Sequence, residues 1–150
     1  MDPFMKRAVE LALKNVKEGG QPFGAVLVKD NEIVSEGVNE LHKKNDVSGH
    51  AELLAIRRAQ EKFQTNELSG YTMYASGEPC SMCLTAMYFA GIENVYYCQS
   101  VEDAVDVGLG KSTFIYEELK KEREDRSLKM TQIKVVDGQE NPMLLWKQKN

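Results

Sequence analysis

The chain has 150 residues, 42% of them hydrophobic, with three cysteines and a formal charge of -4 from 19 basic and 23 acidic side chains. That length suits one well-packed domain and is short for two of ordinary size. The acidic balance argues against a broad nucleic-acid footprint, no apolar run reaches the roughly 18 residues a membrane span requires, and the first residues lack the pattern of a secretory signal. The cytoplasm is the expected address, and Cys80 and Cys83, so close in sequence, suit metal ligation in a reducing compartment better than a disulfide framework.

Met1 to Phe4, ahead of a second methionine, reads as expression-vector residue, which leaves 5–150 as a single domain. Residues 5–18 place Ala8, Val9, Leu11, Ala12, Leu13 and Val16 on one side of an amphipathic helix that Gly19 and Gly20 end. Phe23 to Val28 and Ile33 to Val38, joined through Lys29-Asp30-Asn31-Glu32, predict an antiparallel hairpin. Ser48 is placed to cap a helix running to about Phe63, with His50, Ala51 and Glu52 at its start.

Tyr71 to Ala75 predicts a strand, Cys80 to Ala90 a helix that Gly91 stops, and Asn94 to Cys98 a strand parallel to the one near 71. Residues 101–112 read as a glycine-containing loop or broken helix, and Tyr116 to Arg126 as a charge-dense helix. Met130 to Val136 reads as a fifth strand, and Asn141-Pro142 as the start of a last helix. The alternation predicts an α/β fold, a three-layer α/β/α sandwich around a five-stranded mixed sheet.

The chemistry gathers in His50-Ala51-Glu52 and Glu78-Pro79-Cys80-Ser81-Met82-Cys83, the H-x-E and P-C-x-x-C pattern of zinc deaminases. One imidazole and two thiolates satisfy three corners of a zinc tetrahedron and leave the fourth for water. Cys80 and Cys83 stand one helical turn apart, at a helix N-terminus that favours the thiolate form. Zinc, one ion per chain, is thus assigned to His50, Cys80 and Cys83, and proton transfer to Glu52, which takes a proton from water and passes protons to the ring nitrogen and the departing amino group. A closed structural site completed by Cys98 or His42 is the alternative, although Cys98 reads as a buried strand cysteine.

Asn39, leaving the second strand, is a candidate to donate to and accept from a ring edge; an Asx-turn is the other reading. Ala51 is a candidate to present its backbone N–H to substrate, and Glu78 to accept backbone hydrogen bonds that hold the Pro79-Cys80 turn.

With P-F-G-A-V-L-V at 22–28, G-V-N at 37–39, H-A-E at 50–52 and E-P-C-S-M-C at 78–83, the chain resembles the cytidine deaminase superfamily from Lys6 through Trp146. The stretch 103–116, D-A-V-D-V-G-L-G-K-S-T-F-I-Y, resembles the bacterial guanine deaminases more than the tRNA adenosine deaminases. The resemblance implies a cytidine-deaminase-like fold, a nucleobase substrate, most often guanine converted to xanthine, and Asn39 against the purine. It further implies a homodimer in which residues 141–150 are exchanged and bring Glu140 or Trp146 to the neighbouring zinc pocket. It also implies an acidic residue just before Ser112, where this chain has Lys111. Asp103, Asp106 or Glu140 is then the replacement carboxylate, or the substrate is cytosine, another aminated ring or a nucleoside. A tRNA substrate and a non-enzymatic binding scaffold complete the alternatives; nucleic acid and membrane partners are not expected.

Overall fold

The computed structural model describes residues 2–134 and 136–150, and the chain divides into two compact units, Met1–Glu117 and Glu118–Asn150. The first unit opens on helix α1, Pro3–Lys17, whose N-terminus is capped by the Asp2 carboxylate, accepting from the Phe4 and Met5 amides at 2.8 and 3.2 Å. Its buried stripe is Met5, Ala8, Ala12 and Asn15, and the chain leaves it through Gly19 at φ 95°.

Strands β1, Gly24–Lys29, and β2, Glu32–Val38, form the expected antiparallel hairpin. Asp30 and Asn31 both take positive φ, as a tight two-residue hairpin turn requires. Helix α2, Ala51–Phe63, strand β3, Thr72–Gly77, helix α3, Ser81–Ala90, and strand β4, Asn94–Gln99, follow. The sheet order is β2-β1-β3-β4, with β1 antiparallel to both neighbours and β3 parallel to β4. β1 is buried almost throughout because it is central and covered on both faces. Ala25 and Leu27 belong to the core that α2 and α3 share with Met73, Cys83 and Met87. On the other face β1 approaches α1 so closely that a Cβ at Gly24 would stand 2.5 Å from the Ala8 carbonyl oxygen.

The result is a three-layer α/β sandwich with four strands, not five. The expected strand over 130–136 does not form among the described residues, and Val135 lies outside them. The physical reason is visible in the side chains. Met130, Ile133 and Val136 are exposed by 66%, 91% and 73%, so no face is buried among the described residues of this stretch. Cys98 is also a correction: it is exposed, because β4 is an edge strand whose residues are mostly uncovered.

Beyond β4, Ser100 and Asp103 form a capping box at the start of helix α4, Val101–Asp106. Helix α5, Lys111–Lys120, begins five residues earlier than expected from sequence, and the unit boundary falls inside it. In the second unit the Glu118 carboxylate accepts from Lys121 Nζ at 2.7 Å and from the backbone and hydroxyl of Ser127. Those contacts hold its pKa at about 2, the lysine contributing most. They also turn the chain back after α5, which is why no helix continues to Arg126; a 3-10 turn, Arg123–Asp125, stands there instead. Helix α6, Pro142–Lys149, is capped by Asn141 and leaves Met143, Leu144 and Trp146 exposed.

Candidate metal centre and active site

The start of α2 and the start of α3 carry the signature residues. His50 caps α2 in an extended conformation, Cys80 does the same for α3, and Cys83 lies in the first turn of α3. Ser48, expected as the α2 cap, instead binds Asp46 and accepts from Arg57 Nη2 at 2.7 Å. Of the other basic residues near it, Arg58 donates to the Glu36 carbonyl at 2.6 Å and Lys44 stands 3.9 Å from the Glu40 carboxylate, ordinary local use of charge.

His50 Nδ1 lies 3.5 Å from both sulfurs, and the two sulfurs lie 3.6 Å apart. Bonds of about 2.3 Å to sulfur and 2.0–2.1 Å to nitrogen around a tetrahedral zinc separate thiolates by about 3.8 Å and a thiolate from an imidazole nitrogen by about 3.6 Å. The triangle therefore fits zinc. Among the described residues it is also the single group of histidine, cysteine or carboxylate side chains arranged to hold a metal. Neither Cys98 nor His42 joins it, which leaves three protein ligands, the pattern of a catalytic rather than a structural site.

The two sulfurs differ in how readily they ionise. Cys80, accepting from the Cys83 thiol and aided by His50, is held down at about 4, while the same bond and burial push Cys83 up. Glu52 is 6% exposed, and burial raises its carboxyl to about 7, so it both takes up and releases protons near neutrality.

The loop carrying Cys80 is fastened at three points. The Glu78 amide donates to the Gln99 carbonyl at 2.6 Å, the Glu78 carboxylate accepts from the Val101 amide at 3.1 Å, and the Tyr116 hydroxyl donates to the Pro79 carbonyl at 2.6 Å. Sequence reasoning assigned Glu78 this kind of role and missed Tyr116, which read only as the beginning of a charged helix. The Phe23 ring lies over Gly77, where a Cβ would approach it to 2.9 Å.

Asn39 is 1% exposed, and Glu40 next to it donates to the Gly49 carbonyl at 2.9 Å, which sets this segment beside the start of α2. Its Oδ1 accepts from the Leu41 amide at 3.0 Å, so the Asx-turn is formed, and its Nδ2 points to Gln21 Oε1 at 3.4 Å. Ala51 is fully buried, with its carbonyl so close to β2 that a Cβ at Gly37 would stand 2.2 Å away. Asp103 spends its carboxylate on the Ser100 amide at 2.9 Å, and Asp106 is exposed at the end of α4. Lys111 opens α5; Glu140 and Trp146 lie in the second unit, both exposed. No helix among the described residues is long and apolar enough to cross a membrane.

Residues 1–99 match the family model described as the cytidine and deoxycytidylate deaminase zinc-binding region. The chain is 40% identical over 147 residues to the guanine deaminase of Bacillus subtilis, covering 97% of this chain and 93% of that one. A crystal structure of that enzyme superposes with a TM-score of 0.90 at 39% identity, covering 99% of this chain and 95% of the other. The tRNA-specific adenosine deaminase of Aquifex aeolicus is 37% identical over 94 residues, 63% of this chain and 62% of its own. With the metal triangle and the buried carboxyl beside it, these matches make the chain a member of the cytidine and deoxycytidylate deaminase family, a zinc-dependent aminohydrolase of its guanine-deaminase-like branch.

Proposed function

We propose that this enzyme converts guanine to xanthine by hydrolytic deamination. The observation that carries the reading is the pairing of a zinc-sized His50, Cys80, Cys83 triangle with the buried carboxyl of Glu52, a first-turn neighbour of the histidine. The similarity to the guanine enzyme over nearly the whole chain supports the purine, whereas the likeness to the tRNA enzyme stops at about two thirds of it. A formal charge of -4 also runs against an RNA substrate.

Zinc bound at the triangle supplies Lewis acidity that brings a water into the neutral pH range, with a pKa of roughly 7. Glu52 accepts a proton from the attacking water as its oxygen bonds to the amino-bearing ring carbon. It delivers that proton to the adjacent ring nitrogen, then takes the proton of the newly bonded hydroxyl and delivers it to the amino group. The carbon–nitrogen bond breaks, ammonia leaves and a carbonyl remains. A carboxyl poised at about 7 suits both halves of that cycle. Asn39 holds the ring edge through its side-chain amide, and the Ala51 backbone N–H is the second contact.

Lys111 favours a second reading, since an ammonium cannot accept the hydrogen bonds that an acidic residue would make at that place. Cytosine or a nucleoside is then the substrate, and the base chemistry at Glu52 is unchanged. Ammonia release from guanine, adenine, cytosine, their nucleosides and a tRNA stem-loop separates the readings. Guanine is expected to turn over at least about 100-fold faster than any other member, the margin that a fully hydrogen-bonded ring edge gives. Turnover of cytosine or a nucleoside with guanine inert retires the purine assignment and keeps the reaction.

The enzyme works as a homodimer in the reducing cytoplasm, with residues 141–150 packed on the second copy. Met143, Leu144 and Trp146, exposed by 82%, 57% and 67% in α6, form an apolar load that a ten-residue tail does not cover by itself. Truncation after Gly138 is expected to weaken dimerisation and to lower turnover about 10-fold or more, with zinc still near one per chain, because the segment that closes the neighbouring site, and not the metal, is removed. Sedimentation, metal analysis and an ammonia assay check this; a fully active, unchanged dimer removes the tail from both roles.

A further inference from the structure

Asn15 stands in the last turn of α1, where a polar residue is expected to face water, yet it is 2% exposed. Its Nδ2 donates to the Gln21 carbonyl at 2.8 Å and to the Asn39 carbonyl at 2.9 Å. Its own backbone carbonyl accepts from the Gly20 amide at 2.8 Å. One side chain thereby pins two separate stretches of chain, the loop entering β1 and the exit from β2, to the end of α1.

Its Oδ1 is buried without a hydrogen-bond partner among the described residues. A buried carbonyl without a partner is destabilising, and a leucine, with the same branching and number of side-chain heavy atoms, would carry no such group. Packing therefore does not account for an asparagine here. What it adds over leucine is a donor with two prongs, and both prongs are in use.

The target of that donor is Asn39. The Asn39 amide donates to the Phe23 carbonyl at 3.1 Å, and its carbonyl is held by Asn15, so both of its backbone groups are fixed. Its side chain spends one Oδ1 lone pair on Leu41 and one Nδ2 proton on Gln21. One proton and one lone pair remain, a donor–acceptor pair suited to a ring edge. The position of that pair depends on the Asn39 backbone and on the segment bearing Gln21, and Asn15 holds both through a single nitrogen.

We infer that Asn15 is a positioning residue of the deaminase: it sets the Asn39 amide against the base without touching the base itself. This rests on the reading that Asn39 contacts the ring. The test is a double-mutant cycle between Asn15→Leu and Asn39→Ala, with kcat and KM measured on whichever base turns over and zinc content measured in parallel. Asn15→Leu is expected to raise KM about 10-fold with kcat within about threefold, since binding geometry and not proton transfer is disturbed. Zinc is expected to stay near one per chain. In the Asn39→Ala background the same substitution is expected to change kcat/KM by less than about twofold, because the group it positions is gone.

Gly20→Ala provides a second variant should Asn15→Leu fail to fold. Its Cβ would stand 2.5 Å from Asn15 Nδ2 and from His42 Cε1, so it displaces the same amide from outside, and it is expected to raise KM in the same way. Additive effects of Asn15→Leu and Asn39→Ala, or an unchanged KM in both Asn15→Leu and Gly20→Ala, overturn the inference while Asn39 keeps its role. An unchanged kcat/KM in Asn39→Ala alone overturns the ring-contact reading and this inference with it.

Discussion

Glu52→Gln is expected to keep about one zinc per chain and to lose turnover by roughly 1000-fold or more, at the upper end of what a positioned acid–base group contributes. The substitution preserves shape and volume in a side chain that is 6% exposed. It replaces a carboxyl that titrates near neutrality with an amide that does not titrate, so little new charge imbalance enters the buried site. The metal ligands are three other side chains, which is why zinc content is expected to hold. Ammonia release and elemental analysis of the same preparation check the two halves together. Near-normal turnover would sink the assignment of proton transfer to Glu52, and loss of zinc would make it a metal-holding residue instead.

Cys83→Ser is expected to fail in the opposite order, with the metal going first. The serine hydroxyl is smaller and is not ionised at neutral pH, so the third corner of the triangle is lost and zinc content should fall to below roughly a tenth of the wild-type value. Turnover should fall at least in proportion. Cys83 is fully buried among Met87, Ala55 and Met73, so the exchange also places a hydroxyl in an apolar core, at about 1–3 kcal/mol if it finds no partner. Removing zinc withdraws the stabilisation that a tightly bound ligand confers on the native state. A lowered Tm that excess zinc does not restore, beside a Glu52→Gln protein whose Tm barely moves, is the expected pattern. Full zinc occupancy in Cys83→Ser would show that another group completes the site.

These two residues were legible before the fold because their chemistry depends on residue type and short spacing. His50 with Glu52, and Cys80 with Cys83, each sit within one turn of a helix start, so the sequence interval translates directly into geometry. The hairpin turn at Asp30 and Asn31 was equally local, since both residues tolerate the positive φ the turn demands.

What sequence could not supply was set by distant partners. Residues 130–136 have enough apolar character to suggest a strand, but a strand exists through a ladder and a covered face, and neither is present over the described part. Cys98 looked buried because its neighbours are aromatic and β-forming; its exposure follows from β4 standing at the end of the sheet, a matter of strand order. Asn15, between Lys14 and Val16 on a helix, carries no local sign of the two carbonyls it reaches. Tyr116 was missed for the same reason, its partner Pro79 being brought to it by the turns after β4.

The two ends of the sheet also differ in a way that bears on handling. On β2, Glu32 and Glu36 present charge, and Glu36 is paired with Arg7 at 2.6 Å. From Asn94 to Gln99, β4 carries no charged side chain, and Tyr96 and Tyr97 are about half exposed. Charge on an edge strand is a gatekeeper against unwanted strand addition, so one border of the sheet carries such a guard and the other does not. During synthesis or refolding, crowding favours β4 edges meeting one another in the wrong register. The yield of native protein on refolding is therefore expected to fall as protein concentration rises.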